Sequence, residues 1–113
     1  MKLSELVKLA NLKVKCGNEH LGREITGGYC GDLLSDVMAN SKNGNIWITM
    51  QVHLNIVAVS VLKEHSAIIL VNSRQPNEDT LKKAVEENIP ILVSDLPAFE
   101  LAGKIGSFGI GKS

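Results

Sequence analysis

The sequence predicts one α/β domain, a layered sandwich with a mostly parallel sheet and helices on both faces. Three observations carry that expectation. From residue 46 onward the apolar segments alternate strand, helix, strand, helix, strand, helix, the order that builds a parallel sheet through crossover connections. Residues 67–71 and 91–93 are short runs apolar at every position, as expected for strands covered on both faces. The composition, 44% hydrophobic with one Trp, one Tyr and two Phe, describes an aliphatic core. A chain of 113 residues suits one domain that buries roughly two-thirds of its unfolded surface. The domain is expected over residues 1–106, with 107–113 as a flexible Gly-rich tail.

Each element has a local signal. Residues 4–10 read as a short amphipathic helix stopped at Asn11, and 12–16 as a brief strand before a turn at Gly17-Asn18. A second short strand is expected over about 24–29. It leads through paired glycines to Asp32, a cap-type residue, where Leu33, Leu34, Val37 and Met38 begin the stripe of a helix to about residue 40. Gly44-Asn45 turns the chain, and the β-branched and aromatic residues of 46–50 make a strand. Residues 54–62 are apolar on nearly every side; because Gln51-Val52-His53 offers no turn chemistry, they are read as a buried helix ending at Lys63-Glu64-His65. After the strand at 67–71, Pro76-Asn77 and the acidic Glu78-Asp79 open a helix whose inward face is Leu81, Ala84 and Val85, stopped by Asn88 before Pro90. After the strand at 91–93, Ser94-Asp95 and Pro97 open a last helix in which Phe99, Ala102 and Ile105 are expected to face the core, fraying near Gly106.

Charge and composition exclude several classes. Twelve basic residues balance twelve acidic ones, so no sequence-independent pull toward nucleic acid or an anionic membrane is expected. The longest apolar runs fall far short of the roughly 20 residues that span a bilayer, and the first residues lack the apolar stretch of a signal peptide, which predicts a cytoplasmic protein. Cys16 and Cys30 are expected to be reduced. With His20 they do not complete a metal-ligand spacing, so no metal and no cofactor are expected. No Ser or Cys sits on a nucleophile elbow, and no triad is visible, which predicts no enzyme activity. Gly106–Ser113 matches G-x-x-x-x-G-K-[ST] letter for letter, but a helix precedes it where a phosphate-binding loop needs a strand.

Ligands of open parallel sheets bind outside the carboxyl ends of the strands. Thr49, Gln51, His53 and Asn55 follow the third strand, Asn72, Ser73 and Arg74 the fourth, Ser94 and Asp95 the fifth; Thr26, Gly27 and Gly28 can join them. That edge also gathers helix N-termini, which favour anions, and Arg74 would add a bidentate donor. Asn, Ser, Asp and Thr serve equally as caps and turn formers at such positions; Arg74 and His53 are least explained that way.

Thr26-Gly27-Gly28-Tyr29 with Gly31–Met38 resembles the DRTGG domain, named for an Asp-Arg-Thr-Gly-Gly signature, although Glu24 and Ile25 stand in its first two places. Ile46–Thr49 with His53–Ile56, Ile69–Asn72 with Arg74–Pro76, and Ala98–Gly103 extend the resemblance over nearly the whole chain. It implies a regulatory module similar to that of CBS-containing pyrophosphatases, binding a small anionic ligand such as an adenine nucleotide or phosphate. The alternative it implies is an interaction module that docks to a metabolic or redox enzyme complex without a small ligand. A homodimer is expected on either reading.

Overall fold

The computed structural model describes residues 1–111. In chain order the elements are α1 (Leu3–Leu9), β1 (Lys13–Cys16), a single 3₁₀ turn (Asn18–His20), β2 (Gly27–Cys30), α2 (Leu34–Asn40), β3 (Asn45–Thr49), α3 (Asn55–Lys63), β4 (Ala67–Leu70), α4 (Glu78–Glu86), β5 (Ile91–Val93) and α5 (Ala98–Gly106). The five strands form one sheet in the order β1-β5-β4-β3-β2. β2 to β5 run parallel and β1 pairs antiparallel with β5. The α/β sandwich expected from the alternation is thus the observed one.

The core divides at the sheet because side chains alternate across a strand. Ile46 and Ile48 of β3, with Ala67 and Ile69 of β4 and Leu92 of β5, meet Leu3 and Leu6 of α1 and Leu101 and Ile105 of α5. On the other face Trp47, Ile68, Leu70, Ile91 and Val93 meet Val37 of α2, Ile56, Val57 and Val59 of α3, and Ala84 of α4. All residues of β3, β4 and β5 are buried, which the unbroken apolar runs of β4 and β5 foretell.

Two helix faces differ from expectation. Phe99 is 90% exposed; Ile105 is buried as expected and Ala102 packs against the core, but Leu101 takes the inward place given to Phe99. Val85 is also exposed; α4 turns Thr80 and Ala84 inward. Leu81 still packs against the core, and Thr80 can be buried because its hydroxyl donates to Val52 O at 2.9 Å. Asp32 does not cap α2 either: the helix starts at Leu34 after Leu33, because the Asp32 carboxylate is taken up elsewhere. After α5 the chain turns, and Phe108 and Ile110 pack against the α1–α5 cluster. Lys112 and Ser113, which complete the phosphate-loop pattern, lie outside the described residues.

Candidate functional site

Because β2 to β5 are parallel, their carboxyl ends open on one edge, where the connections 31–33, 50–54, 71–77 and 94–97 lie side by side. Asp32 organises the first two. Its Oδ1 accepts from Thr49 Oγ1 (2.7 Å) and from the Met50 N–H (2.8 Å), and Gln51 Nε2 donates to the Asp32 carbonyl (3.3 Å). The Gln51 N–H reaches Thr49 Oγ1 at 3.2 Å. Thr49 and Gln51 are therefore held in place by Asp32, a role that its cap-like sequence position hides.

The next connection lies against this one. Asn77 donates its backbone N–H to Val52 O (3.2 Å), and Asn77 Nδ2 stands 3.0 Å from His53 Nδ1. The amide nitrogen is the donor there, so Nδ1 accepts. Asn72 and Ser73 both adopt left-handed backbone, φ 56° and 58°. Each such residue costs about 1–3 kcal/mol, a strain the surrounding bonds hold in place. Asn72 N donates to Leu96 O (3.0 Å), Ser73 N to Ser94 O (2.8 Å), and Ser73 Oγ to Asp95 Oδ1 (2.7 Å). Ser94, itself buried, accepts from the Leu96 N–H at 3.1 Å. The Ser73 hydroxyl, and then the Lys13 ammonium, hold the Asp95 carboxyl below its ordinary pKa.

Arg74 is the exception in this network. Its N–H closes the turn onto Val71 O, but its exposed guanidinium has no hydrogen bond or ion pair among the described residues. The helix N-termini of this edge also differ from one another. α2 carries Asp36 in its first turn, α4 Glu78 and Asp79, and α5 Glu100, whereas α3 has no acidic residue there. Asn55, exposed, is the first residue of α3. The partial positive charge of that terminus thus has no carboxylate of its own.

Of the sequence-derived positions, Gln51, His53, Asn72, Ser73, Arg74, Ser94 and Asp95 lie in these carboxyl-edge connections, Thr49 ends β3 beside them, and Asn55 opens the adjoining helix. Thr26 and Gly27 do not join them. The strand expected from about 24 begins at Gly27, opposite Asn45, so both residues sit at the amino end of the sheet. There Thr26 Oγ1 donates to Asn43 O (2.7 Å) and accepts from Asn45 Nδ2 (3.3 Å). Beside Gly27 a Cβ would lie 3.3 Å from Asn45 Nδ2, a tight contact, and 3.7 Å from the Gly111 Cα. Gly28 lies within β2, against Ile46. The glycine required beside Thr26 is Gly44: its φ is +82°, and a Cβ on it would lie only 2.5 Å from Thr26 Cγ2.

The amino edge has a cleft of about 460 Å³, lined among others by Arg23, Glu24, Asn43, Glu64, Ser66 and Asn88. Arg23 is committed to the fold there, donating to Asn88 O (2.6 Å) and Ser66 O (3.4 Å). Beside it is a buried histidine that the sequence did not single out. His65 is 2% exposed, with Ser41 Oγ 2.9 Å from Nε2 and Ser60 Oγ 2.9 Å from Nδ1. Ser41 spends its proton on Val37 O (2.6 Å), so it accepts from Nε2–H, and Ser60 donates to Nδ1. The ring also lies 5.6 Å from that of Trp47. Burial, and then the charge of Lys63, lower the His65 pKa to about 4. Only its position before the apolar 67–70 run hinted at burial.

Cys16 and Cys30 are free thiols on β1 and β2, the opposite edges of the sheet, and burial raises the pKa of both. Among the described residues no group of three or more His, Cys, Asp or Glu is placed to hold a metal ion, and no helix is long and apolar enough to cross a membrane.

Comparison of the sequence with protein families and with curated proteins finds no match. Among solved structures, the chain is similar to the CBS and DRTGG domains of the regulatory region of Clostridium perfringens pyrophosphatase, complexed with the activator diadenosine tetraphosphate. The TM-score is 0.67 at 14% identity, over 92% of this chain and 45% of that one. The chain thus spans less than half of that regulatory region, and the likeness is one of fold. It is a DRTGG-like fold that this comparison supports, and the similar protein is a regulatory region rather than a catalytic one.

Proposed function

We propose that this chain is a non-catalytic regulatory module of the DRTGG family that binds a small anionic ligand, most simply a nucleotide, at the carboxyl edge of the sheet. Two features of that edge carry the reading: an α3 N-terminus without an acidic residue in its first turn, and an exposed Arg74 guanidinium without a hydrogen bond or ion pair among the described residues. A phosphate at this edge would meet the partial positive charge of the helix terminus and the donor fork of Arg74. Thr49, Gln51, His53 and Asn55 lie along the connection into α3 and supply neutral donors and acceptors for the rest of such a ligand. The fold shared with a nucleotide-activated regulatory region is consistent with this.

A thermal-shift titration tests it. ATP, diadenosine tetraphosphate, pyrophosphate and phosphate are added to the wild type and to Arg74→Ala. A ligand at 100 times its dissociation constant adds about 2.7 kcal/mol to stability. Loss of Arg74 should weaken binding by about 1.5–3 kcal/mol, the worth of a charge-assisted hydrogen bond. Equal affinity in the two proteins removes Arg74 from the site.

A second reading, docking to an enzyme complex, is favoured by one observation. The outer side of α3 exposes Leu54 and Leu62 over an apolar cleft of about 630 Å³ shared with α4. Absence of a thermal shift with every anion would favour it.

A further inference from the structure

The two edges of the sheet are built differently. β1 has the devices that keep an edge strand from pairing: Lys13 and Lys15 in its sequence and a register irregularity between Val14 and Cys16. β2 has none of them. Its sequence is Gly-Gly-Tyr-Cys, without charge or proline, and its ladder with β3 is regular.

The outward groups of β2 follow from that ladder. Gly31 donates its N–H to Ile48 O, and in a parallel pair alternate residues turn the same way. Gly27, Tyr29 and Gly31 therefore face β3, while Gly28 and Cys30 turn N–H and C=O away from it. Both residues are exposed, and no backbone hydrogen bond satisfies these outward groups among the described residues. Below them lies a groove of about 190 Å³ lined by Ile48, Ala102, Ile105 and Ile110.

We propose that a second copy of this chain pairs with the free edge of β2 in antiparallel register, Gly28 opposite Cys30 of the second copy and Cys30 opposite its Gly28. Two outward residues, one on each side of Tyr29, are what a two-fold axis through that position requires. Each Gly28–Cys30 pair exchanges two N–H···O bonds, so every outward group of the pair is satisfied. The register is also complementary in shape. Each Cys30 side chain lies beside a glycine, which leaves it room over the apolar groove. The pairing is closed, because it consumes both unguarded edges and leaves a continuous sheet that ends on the two guarded β1 strands. It does not depend on the ligand reading above.

Sedimentation equilibrium on the wild type and on Gly28→Pro tests it. Gly28 has its N–H outside the sheet, so proline, which is tolerated on edge strands, removes only the intermolecular bond. The wild type is expected at twice its chain mass of 12.2 kDa, and Gly28→Pro at 12.2 kDa with an unchanged far-ultraviolet spectrum. A second variant decides the matter if that one unfolds. Tyr29→Cys in a Cys30→Ser background sets two thiols across a non-hydrogen-bonded pair, where Cα atoms are about 4.5 Å apart and a disulfide closes readily. Mild oxidation should give a covalent dimer. A wild type monomeric at every concentration, a dimer that survives in folded Gly28→Pro, or no cross-link would each overturn the proposal.

Discussion

Trp47→Ala is expected to remove about 3–5 kcal/mol of stability, the cost of truncating a large buried aromatic side chain. Trp47 is 0% exposed and lies at the centre of the cluster formed by α2, α3 and α4 with the sheet. Its indole N–H donates to Gly31 O at 2.9 Å, so truncation also strips that carbonyl of its partner just where the chain leaves β2. Domains of this size have about 5–15 kcal/mol in total, and the variant would be marginal at best. Urea unfolding followed by circular dichroism measures the loss. Phe99→Ala, at a side chain 90% exposed on α5, is the control and should stay within about 0.5 kcal/mol of the wild type. Equal midpoints for the two variants would mean that Trp47 is not packed as described.

The second large effect is one of pH. His65 is neutral in the folded protein, since its nitrogens are committed to Ser41 and Ser60, and its pKa lies near 4 against 6.5 in the unfolded chain. Well above pH 6.5 both states are neutral and the full stability is present. As pH falls from 6.5 toward 4 the unfolded chain takes up a proton that the folded one refuses, and stability falls by about 1.4 kcal/mol per pH unit at most. The total is on the order of 3 kcal/mol, complete once pH drops below the folded value. Asp95, whose pKa is depressed from 3.8, acts in a lower window: its contribution is present above 3.8 and is lost as pH falls through its folded pKa. Urea midpoints at several pH values between 7 and 4 resolve the His65 effect, and His65→Gln should flatten the profile over that interval. A wild-type midpoint constant between pH 6.5 and 4.5 would contradict the buried neutral imidazole.

Much of the architecture could be read from the sequence because β4 and β5 are apolar at every position. Ile68–Leu70 and Ile91–Val93 have no polar face to place, so burial on both sides was the only solution. The α3 segment has no helical periodicity to read. The lack of turn residues at 51–53 settled it, and the helix begins at Asn55. What stayed hidden depends on tertiary partners or on strand ends. Whether Thr26-Gly27 lies at the amino or the carboxyl end of β2 depends on where the strand starts, and a glycine pair does not mark that. Asp32 looks like a cap, yet its partners Thr49 and Met50 come from the next strand, brought near only by the parallel pairing of β2 with β3. His65 is buried through Ser41, which is 24 positions away. The carboxyl-edge cluster was legible for a different reason: the end at which a parallel sheet gathers its connections is fixed by topology, so fold class alone placed Thr49, Gln51, His53, Asn72, Arg74 and Ser94 together.

The most direct test of ligand binding at that edge is a ¹H–¹⁵N correlation titration of the labelled protein with diadenosine tetraphosphate and with ATP. Binding at the α3 N-terminus should shift the amides of residues 50–56 and 72–75, saturably, and leave Arg23, Asn43 and Ser66 at the amino edge unmoved. Shifts confined to the amino-edge cleft, or none with either nucleotide at millimolar concentration, would contradict it.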